Sequence, residues 1–69
     1  MPRPKNEGLT DREWEVAEGV WEEKTAQQIA EELGISDRTV ETHVGHIKDK
    51  LGVDSLVGIA LHVERNRDD

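Results

Sequence analysis

The stretch Ala26–Gly52, AQQIAEELGISDRTVETHVGHIKDKLG, decides how this chain folds. It divides into two helical patterns joined by a turn of about four residues. In the second pattern Val40, Val44, Ile47 and Leu51 recur at intervals of four, three and four, which is one apolar stripe at helical spacing. Arg38, Glu41, Thr42, Gly45, Lys48 and Asp49 fall on the opposite face and are polar or tiny. A short helix, a tight turn and a second helix with a polar outward face form the helix-turn-helix pattern, whose second helix enters a DNA major groove. The reading helix is expected over about residues 37–51, with the rest of the chain as its platform.

The flanking residues set the boundaries. Gly34 is the expected C′ residue of the shorter helix, Ile35 plugs the turn into the core, and Ser36 caps the reading helix, which stops at Gly52. Upstream, Thr25-x-x-Gln28 is a capping box ahead of the inward residues Ile29, Ala30 and Leu33. Thr10-Asp11-Arg12-Glu13 is another, opening a first helix after the staple residue Leu9. There Trp14, Val16, Ala17, Val20 and Trp21 fill a broad apolar sector, and both tryptophans are read as core or core rim. Gly19 inside this helix costs about 1 kcal/mol against Ala, so a close packing partner is expected there, or a local weakness.

Downstream, Ser55 or Asp54 caps a fourth helix over about Leu56 to Arg65. Leu56, Ile59, Ala60 and Val63 form a stripe that closes the core. Val57 and Leu61 form a second stripe, about 100° round, which in so small a domain suggests a homodimer seam rather than scattered surface apolars. No strand pattern or repeat is present, so the expectation is an all-α, four-helix domain over residues 9–65. A flexible leader, residues 1–8 with Pro2 and Pro4, and a disordered tail, residues 66–69, complete the division.

Sixty-nine residues allow one domain with one small core, and the hydrophobic fraction is only 33%. With no cysteine, neither a disulfide nor a thiolate ligand can staple it, so stability rests on helix packing, on a partner subunit, or on both. No apolar run has the length of a membrane span or the form of a signal peptide, so a soluble, cytoplasmic chain is expected. The net charge of −7 opposes DNA binding, which draws on Lys and Arg neutralising phosphates. Its distribution softens that opposition. Residues 9–23 hold six acids and one Arg, whereas residues 35–51 set Arg38, Lys48 and Lys50 against Asp37, Glu41 and Asp49. His43 and His46 lie in the second stretch and can add positive charge beside phosphates.

No constellation supports an enzyme: there is no Cys or Tyr, and the two serines are better explained as caps. His43 and His46 are three residues apart, but no third ligand has matching spacing, so neither a metal nor another cofactor is expected. A small-molecule ligand is not expected either. DNA recognition has more to work with. Thr42 can touch a thymine methyl or exchange hydrogen bonds, Glu41 can accept from a cytosine amine, and Arg38 can reach guanine or phosphate. His46 is a further candidate on the same helix. Gly45 either permits close approach to the groove or is a tolerated surface glycine. His43 either contacts DNA or is a partly buried imidazole bonded to a backbone carbonyl. Thr25, Gln27, Ser36, Thr39 and Lys50 are candidates for positioning on phosphate.

The residues so assembled resemble the LuxR-type helix-turn-helix, the GerE, FixJ and NarL effector domain. The resemblance is carried by Leu9-Thr10-x-Arg12-Glu13-x-Glu15-Val16, then Ile29-Ala30-x-x-Leu33-x-Ile35-Ser36-x-x-Thr39-Val40, then His43 and Ile47-x-x-Lys50-Leu51-Gly52-Val53. These run in order and without gaps from Leu9 to about Val63. The resemblance implies a four-helix DNA-binding domain of transcription regulators, with the third helix in the major groove and the fourth forming the dimer. It implies phosphate contacts at Thr25, Thr39, His43 and Lys50.

The chain departs from the family pattern in several places. Glu41 stands where a basic residue is usual, Gly45 at a frequently polar or basic position, Gln27 for a usual Lys, and Leu56 for an expected Arg. Base specificity therefore does not transfer from a relative. Ala17 and Trp21 exchange the family's large and small residues, so Trp21 is expected to fill the volume that Ala17 vacates.

The leading expectation is a homodimeric, sequence-specific regulator of transcription that binds double-stranded DNA. The surface acid is then explicable by a high-salt cytoplasm, where screening weakens repulsion from DNA. The alternative is an acidic protein-interaction module on the same fold with little DNA affinity, favoured by Glu41 and Gln27 in place of basic residues.

Overall fold

A computed structural model describes residues 8–66 of the chain. The expected leader, apart from Gly8, and residues 67–69 of the expected tail lie outside the described residues. Four helices follow in order: α1, Asp11–Trp21; α2, Ala26–Leu33; α3, Asp37–Leu51; and α4, Leu56–Asn66. No strand occurs among the described residues, and the fold is all-α. Asn66, assigned to the tail by sequence, instead ends α4, where its side-chain amide donates to the His62 carbonyl at 2.8 Å.

The caps form as the sequence dictates. The Thr10 hydroxyl accepts from the Glu13 amide at 3.1 Å while Glu13 Oε1 accepts from the Thr10 amide at 3.0 Å. Thr25 and Gln28 repeat the reciprocal pair at the start of α2. Gly34 and Gly52 end α2 and α3 with φ of 71° and 70°, left-handed values that a side chain disfavours. Of the two candidates for the α4 cap, Ser55 serves: its hydroxyl accepts from the Gly58 amide at 3.3 Å.

The core gathers Leu9, Trp14, Val16, Ala17, Ile29, Ala30, Val40, Ile47, Ile59 and Val63, with Val44 and Leu51 packed at its edge. Gly19 has the close partner its cost demanded. A Cβ built there would lie 2.7 Å from Ile29 Cγ1, so the bare backbone of α1 lets α2 approach. Trp21 is half-buried against the core, and its indole N–H donates to Glu64 Oε1 of α4 at 2.8 Å. It packs on the rim beside α4 and stays out of open solvent.

One core assignment is overturned. Leu56, expected in the closing stripe of α4, is 51% exposed. Leu56 shares a face with the buried Val63 but is the first residue of α4, where no preceding turn of helix covers it. A Cβ on Gly58 would stand 2.6 Å from Val53 Cβ, so this glycine lets the α3–α4 connection press against the α4 backbone. His62 packs edge-on against Trp14, with ring centroids 6.5 Å apart. These contacts hold α4 with Ile59 and Val63 buried at the centre of its inner face. Val57 and Leu61 are 68% and 51% exposed, as a second stripe requires, and Leu56 joins them on the open side.

Candidate nucleic-acid interface

The approach to α3 is built by short-range bonds. After the left-handed Gly34, the Ile35 amide donates to Ala30 O at 3.0 Å and directs the Ile35 side chain inward. The Ser36 hydroxyl then accepts from the Thr39 amide at 3.1 Å and lies 2.9 Å from the Thr39 hydroxyl. That mutual contact uses one of the two hydroxyl protons and leaves the other for a phosphate oxygen. Asp37 in the first turn places a negative charge beside the same amides, which opposes an anion there.

Along α3, Val40 and Ile47 are buried while Arg38, Thr42, Gly45 and Asp49 are exposed, at intervals of four, three and four. These four make the middle of the outward face. Glu41 is exposed on one flank and His46 on the other. The Thr42 hydroxyl donates to the Arg38 carbonyl one turn back, at 3.1 Å. Nothing stands within 4 Å of where a Cβ on Gly45 would be, so that position is open space.

The two flanks differ in chemistry. On the Glu41 side, Glu41, Val44, Gly45 and Lys48 share the walls of a half-open, mainly apolar cleft of about 340 Å³ with Val20, Ala26 and Leu56. The first turn of α2 therefore borders this flank, and Thr25 and Gln27 beside Ala26 are both exposed. Lys24, also on the cleft, is held 2.9 Å from Glu22 and 2.7 Å from Glu32. Those two partners raise its pKa, the hydrogen bond it donates to Glu32 first.

On the other flank, Lys50 is already engaged. Its ammonium lies 2.7 Å from Glu13 Oε1 of α1 and 3.4 Å from Gly8 O. One of its three N–H groups is left for a phosphate. His46 Nδ1 is 3.9 Å from the other Glu13 oxygen, too far for a hydrogen bond. His43 is half-buried, but its Nδ1 is enclosed without a partner, so the backbone carbonyl proposed for it is not there.

Glu13 is the residue that sequence reasoning missed. Read only as a capping-box partner, it also anchors the last turn of α3. Its side chain is 6% exposed, and burial acts to raise its pKa. The Lys50 ammonium and the Thr10 amide and hydroxyl outweigh that burial and hold the carboxyl below the ordinary value. Nothing local in the sequence pairs Glu13 with a lysine 37 residues away.

The structure thus gathers Arg38, Thr42 and Gly45 between a Glu41 flank bordered by α2 and a His46–Lys50 flank bordered by α1. Among the described residues no group of His, Asp and Glu is arranged to hold a metal ion. No described helix is long and apolar enough to cross a membrane.

The family model described as bacterial regulatory proteins, luxR family, matches residues 7–63. The transcriptional regulatory protein LiaR of Bacillus subtilis (strain 168) is 41% identical over 61 residues, covering 88% of this chain and 29% of LiaR. The spore germination protein GerE of the same organism is 49% identical over 45 residues, covering 65% of this chain and 61% of GerE. The probable transcriptional regulatory protein SgaR of Hyphomicrobium methylovorum is 42% identical over 64 residues, covering 91% of this chain and 30% of SgaR. The chain therefore spans under two thirds of each of these relatives, and under a third of two of them.

Proposed function

The chain belongs to the luxR family of bacterial regulatory proteins, and on that premise we propose that it is a sequence-specific DNA-binding regulator of transcription acting as a homodimer. The observation that carries the reading is the outward face of α3. Fifteen residues of capped helix are held on the core by Val40 and Ile47, while Arg38, Thr42, Gly45 and Asp49 stay exposed with no packing role. A helix fixed on one side and polar on the other meets the geometric requirement for insertion in a major groove. Phosphates are then met on both flanks, by Thr25, Gln27, Ser36 and Thr39 and by the remaining N–H of Lys50, with His43 and His46 beside it. The seam of the dimer is the exposed Val57–Leu61 stripe of α4.

A second reading is favoured by one observation. Glu13 occupies Lys50, and Lys24 is paired twice, so Arg38 and Lys48 are the cations of the α3 region without an ion pair among the described residues. A domain so placed can instead bind another protein and have little DNA affinity. One experiment separates the two. Labelled duplex from upstream of the protein's own gene is titrated at two salt concentrations, and amide shifts are mapped. Saturable binding with shifts in residues 36–50 supports the DNA reading. Absent binding, or shifts confined to α4, supports the interaction module.

A further inference from the structure

Within the outward face of α3, the patch formed by Glu41, Thr42 and Gly45 can accept hydrogen bonds through its side chains but cannot donate them. Thr42 spends its hydroxyl proton on the Arg38 carbonyl, 3.1 Å away, which leaves lone pairs and a methyl group. Glu41, exposed beside it, is acceptor-only when ionised. Gly45, one turn further on, has no side chain, and no neighbouring atom stands within 4 Å to fill its place. Donors border this patch, at Arg38 towards the helix start, at Lys48 one turn beyond Gly45 and at His46 on the far flank.

Base edges in the major groove sort sharply against such a patch. Guanine offers N7 and O6, both acceptors, and thymine offers an acceptor and a methyl; cytosine N4 and adenine N6 supply protons. We propose that α3 selects its site by base amino groups, with a cytosine N4 donating to the Glu41 carboxylate. Thr42 adds its methyl and lone pairs on the adjacent base pair. Turning the Thr42 hydroxyl towards a base acceptor would forfeit its bond to Arg38, so the helix as folded favours amino groups at both positions. Gly45 leaves the helix backbone uncovered there, which lets Glu41 and Thr42 reach the groove floor. This inference rests on the reading that α3 enters the major groove, and it gives that reading a base preference.

The test is selection from duplexes with a randomised central region, using the full chain and its Glu41→Gln variant. Glu41 is exposed, and circular dichroism checks that the variant keeps its helices. The wild type should enrich cytosine at one position of each half-site. Replacing it should weaken binding roughly 5- to 150-fold, the usual range for one lost base contact. Glutamine matches adenine N6 and N7, so Glu41→Gln should move that position to adenine and leave the others unchanged. Enrichment without cytosine, or a cytosine preference that Glu41→Gln leaves intact, overturns the proposal while DNA binding stands. Failure to retain any duplex overturns the DNA-binding reading and the proposal with it.

Discussion

The Lys50 ammonium rests 2.7 Å from Oε1 of Glu13, tying the last turn of α3 to the first turn of α1. The same carboxylate closes the capping box of α1, so one side chain sets both the start of α1 and the seating of α3. Glu13→Gln keeps a group that can cap Thr10 but removes the charge that Lys50 meets. It should cost about 1–2 kcal/mol near neutral pH, the scale of a charge-assisted bond. Because folding lowers the Glu13 pKa, the contribution is fully present above the unfolded value of about 4.5 and is lost as pH falls through the lower folded value. Denaturant titrations should show the gap between wild type and variant constant from pH 5 to 8 and closing below about pH 4.5. A gap of unchanged size at pH 3 would refute the pairing.

Two glycines in helices should respond to alanine with opposite signs. At Gly19 the new Cβ meets Ile29 Cγ1 at 2.7 Å and Cδ1 at 2.8 Å, and the β-branched Ile29 is stiff. Gly19→Ala should therefore destabilise by about 1–3 kcal/mol despite the gain in helix propensity. Combining it with Ile29→Val, which removes Cδ1, should cost less than the sum of the two single changes. Strict additivity would show that the two positions do not meet.

Gly45 has open space around it, so Gly45→Ala should stabilise the isolated domain by about 0.5–1 kcal/mol through backbone entropy alone. Thermal melts check this directly. A loss of stability would mean that Gly45 serves the fold rather than the outward face.

Leu61→Glu places a charge in the exposed stripe of α4 without touching the core, since Leu61 is 51% exposed. Sedimentation should show the variant at half the wild-type mass, with unchanged helical content. A wild type that is monomeric at high concentration, or a variant of unchanged mass, would remove α4 as the seam.

The salt dependence of DNA binding should be shallow. Counting Arg38, Lys48 and Lys50 as the phosphate-neutralising cations of each protomer, a dimer should give a slope of log K against log salt of about −5. Fluorescence anisotropy at several salt concentrations measures it. A slope near −10 would require cations outside α3.

The sequence by itself determined the four helices, the starts of the first three and the ends of α2 and α3. Thr10, Thr25, Ser36, Gly34 and Gly52 act through bonds within a few residues, so their roles are legible wherever they occur. It also determined which face of α3 is buried, because a stripe at helical spacing has only one side to hide. Tertiary structure alone decided the rest. Glu13 and Lys50 are 37 residues apart and meet only when α1 packs on α3. Leu56, on the same face as the buried Val63, falls outside the core because it opens α4 beyond the packed turns, which its periodicity does not encode. By its chemistry Thr42 can donate or accept, and the folded helix leaves it as an acceptor by directing its proton to the Arg38 carbonyl. Local pattern fixes what each segment becomes; which side chains remain free to act depends on the neighbours that packing brings to them.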